Sequence, residues 1–132
     1  MKRMRLISIV DDDAVVREAT ADLVSALGYA ASTFASAEQF LISGKIDETD
    51  CLITDLQMPG MDGLGLQSRL LEDGRETPVI FITAFPKASA RDRALAAGAI
   101  AFLTKPFEEK SLLRSLEIAL KKGGQKGDGP AN

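Results

Sequence analysis

No histidine occurs among the 132 residues, so the chain is neither a histidine kinase nor a histidine phosphocarrier, and imidazole is unavailable for metal ligation or general base work. Cys51 is the only cysteine, which rules out an internal disulfide and fits a reducing cytoplasm. It falls within an apolar run, where cysteine usually acts as a small filler. Long apolar runs are also missing. None approaches the ~20 residues of a membrane span, and residues 1–5 lead straight into the first strand candidate, so no secretory signal is expected either. Positive charge is not in excess: 16 Lys and Arg stand against 19 Asp and Glu, and the net charge of −3 argues against this domain gripping nucleic acid by itself. Asp, Thr, Lys and backbone groups remain to do any chemistry.

What is present is an alternation of short apolar runs and helical stripes. Runs at 6–10, 51–54, 79–82 and 100–104 are rich in Ile, Val, Phe or Leu and bounded by turn residues, as buried parallel strands are. A weaker strand is expected at 29–34. Thr20, Leu23, Val24 and Leu27 make an i, i+3, i+4, i+7 stripe stopped by Gly28, and Ser36 with Gln39 has capping-box spacing before Phe40. Leu64, Leu66, Leu70 and Leu71 mark a third helix, an Ala/Arg-rich helix covers 88–97, and a last one runs over roughly 107–121. Pro59-Gly60 suits a type II turn. Five βα units with right-handed crossovers predict an α/β doubly wound sandwich with helices on both faces. Residues 122–132, rich in Gly and Lys, are expected to form a flexible tail or linker.

The ends of the strands carry the chemistry. Asp11, Asp12 and Asp13 follow the first run, Asp55 follows the third, Thr83 the fourth, and Lys105 the fifth. In an open α/β sheet, ligands bind at the carboxyl ends of the strands. Acids, one hydroxyl and one ammonium therefore meet at a single edge, as a magnesium-dependent phosphoryl site requires. At ~5 Å and an effective dielectric of ~20, each pair of like-charged carboxylates costs roughly 3 kcal/mol, so such a pocket calls for a cation. Mg2+ suits it, since it takes oxygen ligands and keeps several waters. Asp13 is better placed as a helix N-cap than as a ligand.

The segments IVDDD, LITDLQMPGMDG, FITAF and AFLTKPF, in this order and spacing, resemble a bacterial two-component response-regulator receiver domain across about residues 4–121. The later segments are also similar to receivers of nitrogen-fixation-type regulators. The resemblance implies a flavodoxin-like (βα)5 fold with a parallel five-stranded sheet in the order 2-1-3-4-5. It implies that Asp55 is the phosphoacceptor, and that Mg2+ is held by Asp11, Asp12, Asp55 and the backbone carbonyl of Gln57. Thr83 and Lys105 would contact the phosphoryl oxygens, Phe102 would be the aromatic switch, and the Lys105–Pro106 bond would be cis. The implied donor is a histidine kinase or histidine phosphotransfer protein. The implied output surface combines the helix at 88–97, the strand at 100–103 and the helix at 107–121, suited to a partner or to a homodimer. Such a protein is a cytoplasmic switch that promotes only its own phosphorylation and dephosphorylation, with no membrane or nucleic-acid contact.

Three rivals come from other classes. A haloacid-dehalogenase-type phosphatase wants a second aspartate where Gln57 stands. A flavodoxin-like cofactor binder wants a Ser/Thr/Gly-rich loop where three aspartates stand. A pseudo-receiver that never carries phosphate is the serious alternative, disfavoured because every chemical position holds a competent side chain. With no output domain after residue 122, either a single-domain regulator or a receiver cut from a longer chain is expected.

Overall fold

Each apolar run expected to be a strand becomes one in a single parallel sheet; the computed structural model describes residues 4–127. In chain order the elements are β1 (Leu6–Val10), α1 (Ala14–Ala26), β2 (Ala30–Phe34), α2 (Ala37–Ile42), a 3-10 turn (Ile46–Glu48), β3 (Cys51–Asp55), α3 (Gly63–Glu72), β4 (Val79–Thr83), α4 (Ala88–Ala96), β5 (Ala101–Thr104) and α5 (Glu109–Gly127). The strand order is β2-β1-β3-β4-β5, as the resemblance implied.

Strand side chains alternate between two cores because their period is two. Phe81, Leu52 and Val10 face one layer with Phe40, Leu66, Leu70, Ala90 and Ala94. Ile80, Ile82, Ile53 and Ile7 face the other, with Val24, Leu112, Leu116 and Leu120. Burial on both faces explains why β1, β3 and β4 read as unbroken apolar runs. Phe40 and Phe81 have no exposed surface, and each contributes roughly 1.5–3 kcal/mol. Cys51 is fully buried, and burial pushes its thiol pKa up, so it is the inert filler expected.

Local chemistry sets the element ends. Asp13 caps α1, its Oδ1 accepting from the amides of Val15 (3.0 Å) and Val16 (3.2 Å). Ser36 caps α2 by accepting from the Gln39 amide, but the Gln39 side chain accepts from Ala35 rather than from Ser36 itself, a variation on the box read from sequence. Gly60 has φ +75°, the positive value the expected type II turn needs at that position. The Lys105–Pro106 bond is cis.

One boundary differs. The last helix continues to Gly127 instead of stopping near 121, so helical backbone enters the segment expected to be a flexible tail or linker. Once the buried stripe ending at Leu120 has nucleated a helix, further turns add little cost. The remainder of that segment, 128–132, lies outside the described residues.

Candidate functional site

The carboxyl ends of β1, β3, β4 and β5 meet at one edge because the 1-3-4-5 neighbours pair in parallel register. Asp55 lies beside Ile82, and Thr83 beside Thr104. There the Lys105 Nζ donates to Asp11 Oδ2 at 3.1 Å and to Asp55 Oδ2 at 3.2 Å. Asp11, Asp12 and Asp55 each offer a carboxylate oxygen within 4.8 Å of one another. Three hard oxygen donors at this spacing fit a small divalent cation that takes oxygen ligands, Mg2+ among them. Asp11 is buried, Asp55 half-buried and Asp12 exposed, so the cluster opens to solvent on one side.

The neighbouring groups are tightly engaged. Asp11 Oδ1 accepts from the Asp13 amide (2.9 Å), and Asp55 Oδ1 accepts from the Gln57 amide (3.2 Å). Thr83 is fully buried, and its Oγ1 accepts from the Phe85 amide at 3.1 Å. Ala84 is exposed, leaving the edge uncrowded. Phe102 is half-buried, with its ring 6.1 Å from that of Phe81.

Burial raises the Asp55 pKa above the ordinary carboxylate value, and Asp11 adds to the rise, against the lowering pull of Lys105. For Lys105, burial is the largest influence and pulls down, but the bonds and charges of Asp11 and Asp55 together leave its pKa raised. The signs give a pH dependence. A raised lysine contributes stability that is complete below its ordinary value and lost as pH climbs through its folded value. A raised carboxylate works the other way from a depressed one: the folded state holds the proton more tightly, so stability falls as pH rises from 3.8 through the folded pKa. Lys105→Met leaves two carboxylates facing each other. It should cost about 2 kcal/mol at pH 7, less than a fully buried pair would. Urea unfolding should show that deficit shrinking at pH 4, where Asp55, its pKa raised by burial, takes up a proton. A pH-independent deficit would mean the loss is packing alone.

The residues expected at the site converge, with Asp11, Asp12 and Asp55 within reach of one another, Lys105 bonded to Asp11 and Asp55, and Thr83 ending the adjacent strand. Two contributors went unread in the sequence. Gly63, at the start of α3, lies against the Asp55 main chain: a Cβ there would fall 2.4 Å from the Asp55 carbonyl oxygen. Arg17 donates from Nη1 to the Asp11 carbonyl at 2.8 Å. Each left a faint sequence signal. Glycine is a poor helix former, and a cation in the first turn of a helix opposes its dipole.

A parallel five-stranded α/β domain with acids, a hydroxyl and a lysine at its carboxyl edge defines the class to which receiver domains belong. The sequence model of the family described as response regulator receiver domain matches residues 7–117. The chain belongs to that family. It is 41% identical over 119 residues to response regulator protein TodT of Pseudomonas putida, an alignment covering 90% of this chain and 52% of TodT. Its fold superposes on the structure of response regulator StyR with TM-score 0.87 at 38% identity, covering 96% of this chain and 64% of StyR. The corresponding values for the crystal structure of FixJ-N are 0.81 and 32%, covering 92% and 96%. The chain thus spans about half the length of the curated relatives it matches. No helix among the described residues is long and apolar enough to cross a membrane.

Proposed function

We propose that this chain is a phosphorylation-dependent switch in which Asp55 accepts a phosphoryl group from a histidine kinase or histidine phosphotransfer protein. Mg2+ would be held by Asp11, Asp12, Asp55 and the backbone carbonyl of Gln57. The observation that carries this reading is the Lys105 ammonium lodged between Asp11 and Asp55. An acceptor carboxylate needs such a cation to meet an anionic phosphoryl group, and a merely structural acidic loop does not.

When bound, Mg2+ offsets the charge of the carboxylates and of the transferring oxygens. Asp55 is half-buried at the end of β3, where its oxygen can form the O–P bond as the P–N bond to the donor imidazole breaks. Lys105, already within 3.2 Å of Asp55, needs only a small movement to reach a phosphoryl oxygen. The Thr83 oxygen accepts from Phe85, so its hydroxyl hydrogen remains to donate to the new group. Drawing Thr83 toward the phosphoryl group would open space beside Phe81, into which Phe102 moves by packing alone, since it has no hydroxyl. This shift would bias a two-state equilibrium of the surface made by α4, β5 and α5. Arg91, Arg93, Lys110 and Arg114 are exposed there and would meet a partner or a second copy in a homodimer, each contact contributing about 0–1 kcal/mol. Residues 4–121 would form the switching unit, acting in the cytoplasm without binding nucleic acid itself and catalysing only its own phosphorylation and dephosphorylation.

Acetyl phosphate supplies the test. With Mg2+, intact mass should rise by one phosphoryl group, and with a chelator in place of Mg2+ it should not change. No adduct under either condition would leave a pseudo-receiver, an interaction module that is never phosphorylated.

A further inference from the structure

Arg17 is the fourth residue of α1, where a positive charge opposes the helix dipole. Arg17 is half-buried and follows three consecutive aspartates in sequence, yet among the described residues its side chain forms no ion pair with a carboxylate. It donates instead to the main-chain carbonyl of Asp11, at 2.8 Å. That bond completes Asp11. The Asp11 amide donates to Phe34 O (3.1 Å), Oδ1 accepts from Asp13 and Oδ2 from Lys105, so all four polar positions of the residue are engaged. Asp12 is the contrast. It is exposed, and its carboxylate has no hydrogen bond among the described residues. What orients Asp12 is therefore the peptide plane that joins it to Asp11. The carbonyl of that plane is the one Arg17 holds.

We propose that Arg17 is a positioning residue for the divalent cation, fixing the Asp11–Asp12 peptide so that Asp12 presents its carboxylate in the geometry Mg2+ demands. The inference rests on the metal reading above. Charge and order act in opposite directions here. A guanidinium near a divalent cation repels it, so loss of charge alone would tighten binding of every divalent ion. Loss of order weakens binding, and does so selectively, because Mg2+ requires near-ideal octahedral ligands while Ca2+ tolerates irregular ones. Groups that orient metal ligands typically tune affinity by 10–100-fold.

Mg2+ and Ca2+ titrations of the full chain, followed by the amide NMR shifts of residues 11–13, distinguish these effects. In Arg17→Met, Mg2+ affinity should fall about tenfold and Ca2+ affinity less than threefold. Arg17→Lys keeps the charge but replaces the planar fork with a flexible point donor, so it should also lose Mg2+ preference. If Arg17→Met failed to fold, Arg17→Lys would carry the measurement alone. Parent-like or tighter Mg2+ binding in the variants would overturn the proposal, as would equal weakening for both ions, which marks general loosening. A parent chain that binds no Mg2+ would overturn the metal reading and this inference together.

Discussion

Asp55→Asn should gain no phosphoryl mass from acetyl phosphate and Mg2+, and it should melt at a higher temperature than the parent. The first effect is a complete loss, since an amide oxygen is not a competent nucleophile toward phosphorus, the Asp12 carboxylate would be taken up by the bound cation, and Asp11 and Asp13 are engaged within the fold. Asp11 is held through both carboxylate oxygens, and Asp13 caps α1. The second effect follows from the direction of the Asp55 pKa. Burial and the neighbouring Asp11 make its charged form less favourable when folded than when unfolded, even with Lys105 beside it. Neutralising it should stabilise the metal-free domain by about 1 kcal/mol, or roughly 3–5 °C in a chain of this size. The sign fixes the pH profile. The gain should be full above the raised folded pKa and vanish as pH falls toward 3.8, where the parent protonates too. Melting curves from pH 4 to 8 and intact mass spectra check both effects. An adduct on the variant would place the acceptor elsewhere, and a lower melting point would mean that the Asp55 charge stabilises the fold.

The sheet was legible because its information is local. Ile80 and Ile82 enter one core and Phe81 the other, so an uninterrupted apolar run is what a strand buried on both faces has to look like. The residues at strand ends were legible for a related reason: once 10, 54, 82 and 104 end parallel strands, the topology brings Asp11, Asp55, Thr83 and Lys105 to one edge. The cis bond and the strand order came from resemblance, and the geometry agrees with both. Contacts that depend on three-dimensional approach were not legible. Nothing in the spacing of Arg17 says that its side chain turns back to the Asp11 carbonyl, and nothing adjacent to Thr83 says that its oxygen takes the Phe85 amide. The end of α5 was missed because the Gly- and Lys-rich residues after 121 carry no periodic apolar signal and read as a tail, whereas the backbone of a helix already nucleated continues to Gly127.

Gly63→Ala is expected to cost about 3 kcal/mol, near the upper end for overpacking, and to slow phosphorylation at Asp55. Glycine is needed here for space, because Gly63 begins α3 with its amide bonded to the Leu56 carbonyl at 2.9 Å and is drawn tightly against the end of β3. An added methyl would lie 2.4 Å from the Asp55 carbonyl oxygen, 2.9 Å from the Phe81 ring and 3.1 Å from the Leu56 Cα. Two of these three atoms are backbone, and the ring has no exposed surface, so no flexible side chain can yield. Relief requires moving α3 away or pushing back the Asp55 peptide, which would displace the carboxylate from Lys105 and the acidic cluster. Gly65, two residues on, is the control. Its added methyl would meet the Met61 side chain at 3.1 Å and the Asp62 carboxylate at 3.2 Å, groups able to shift slightly. Alanine is also the better helix former by about 1 kcal/mol. Gly65→Ala should therefore stay within about 1 kcal/mol of the parent and be phosphorylated normally. Urea unfolding of the two variants beside acetyl phosphate uptake decides the matter: equal stabilities would mean that the Asp55 backbone yields easily, and that α3 does not hold the acceptor in place.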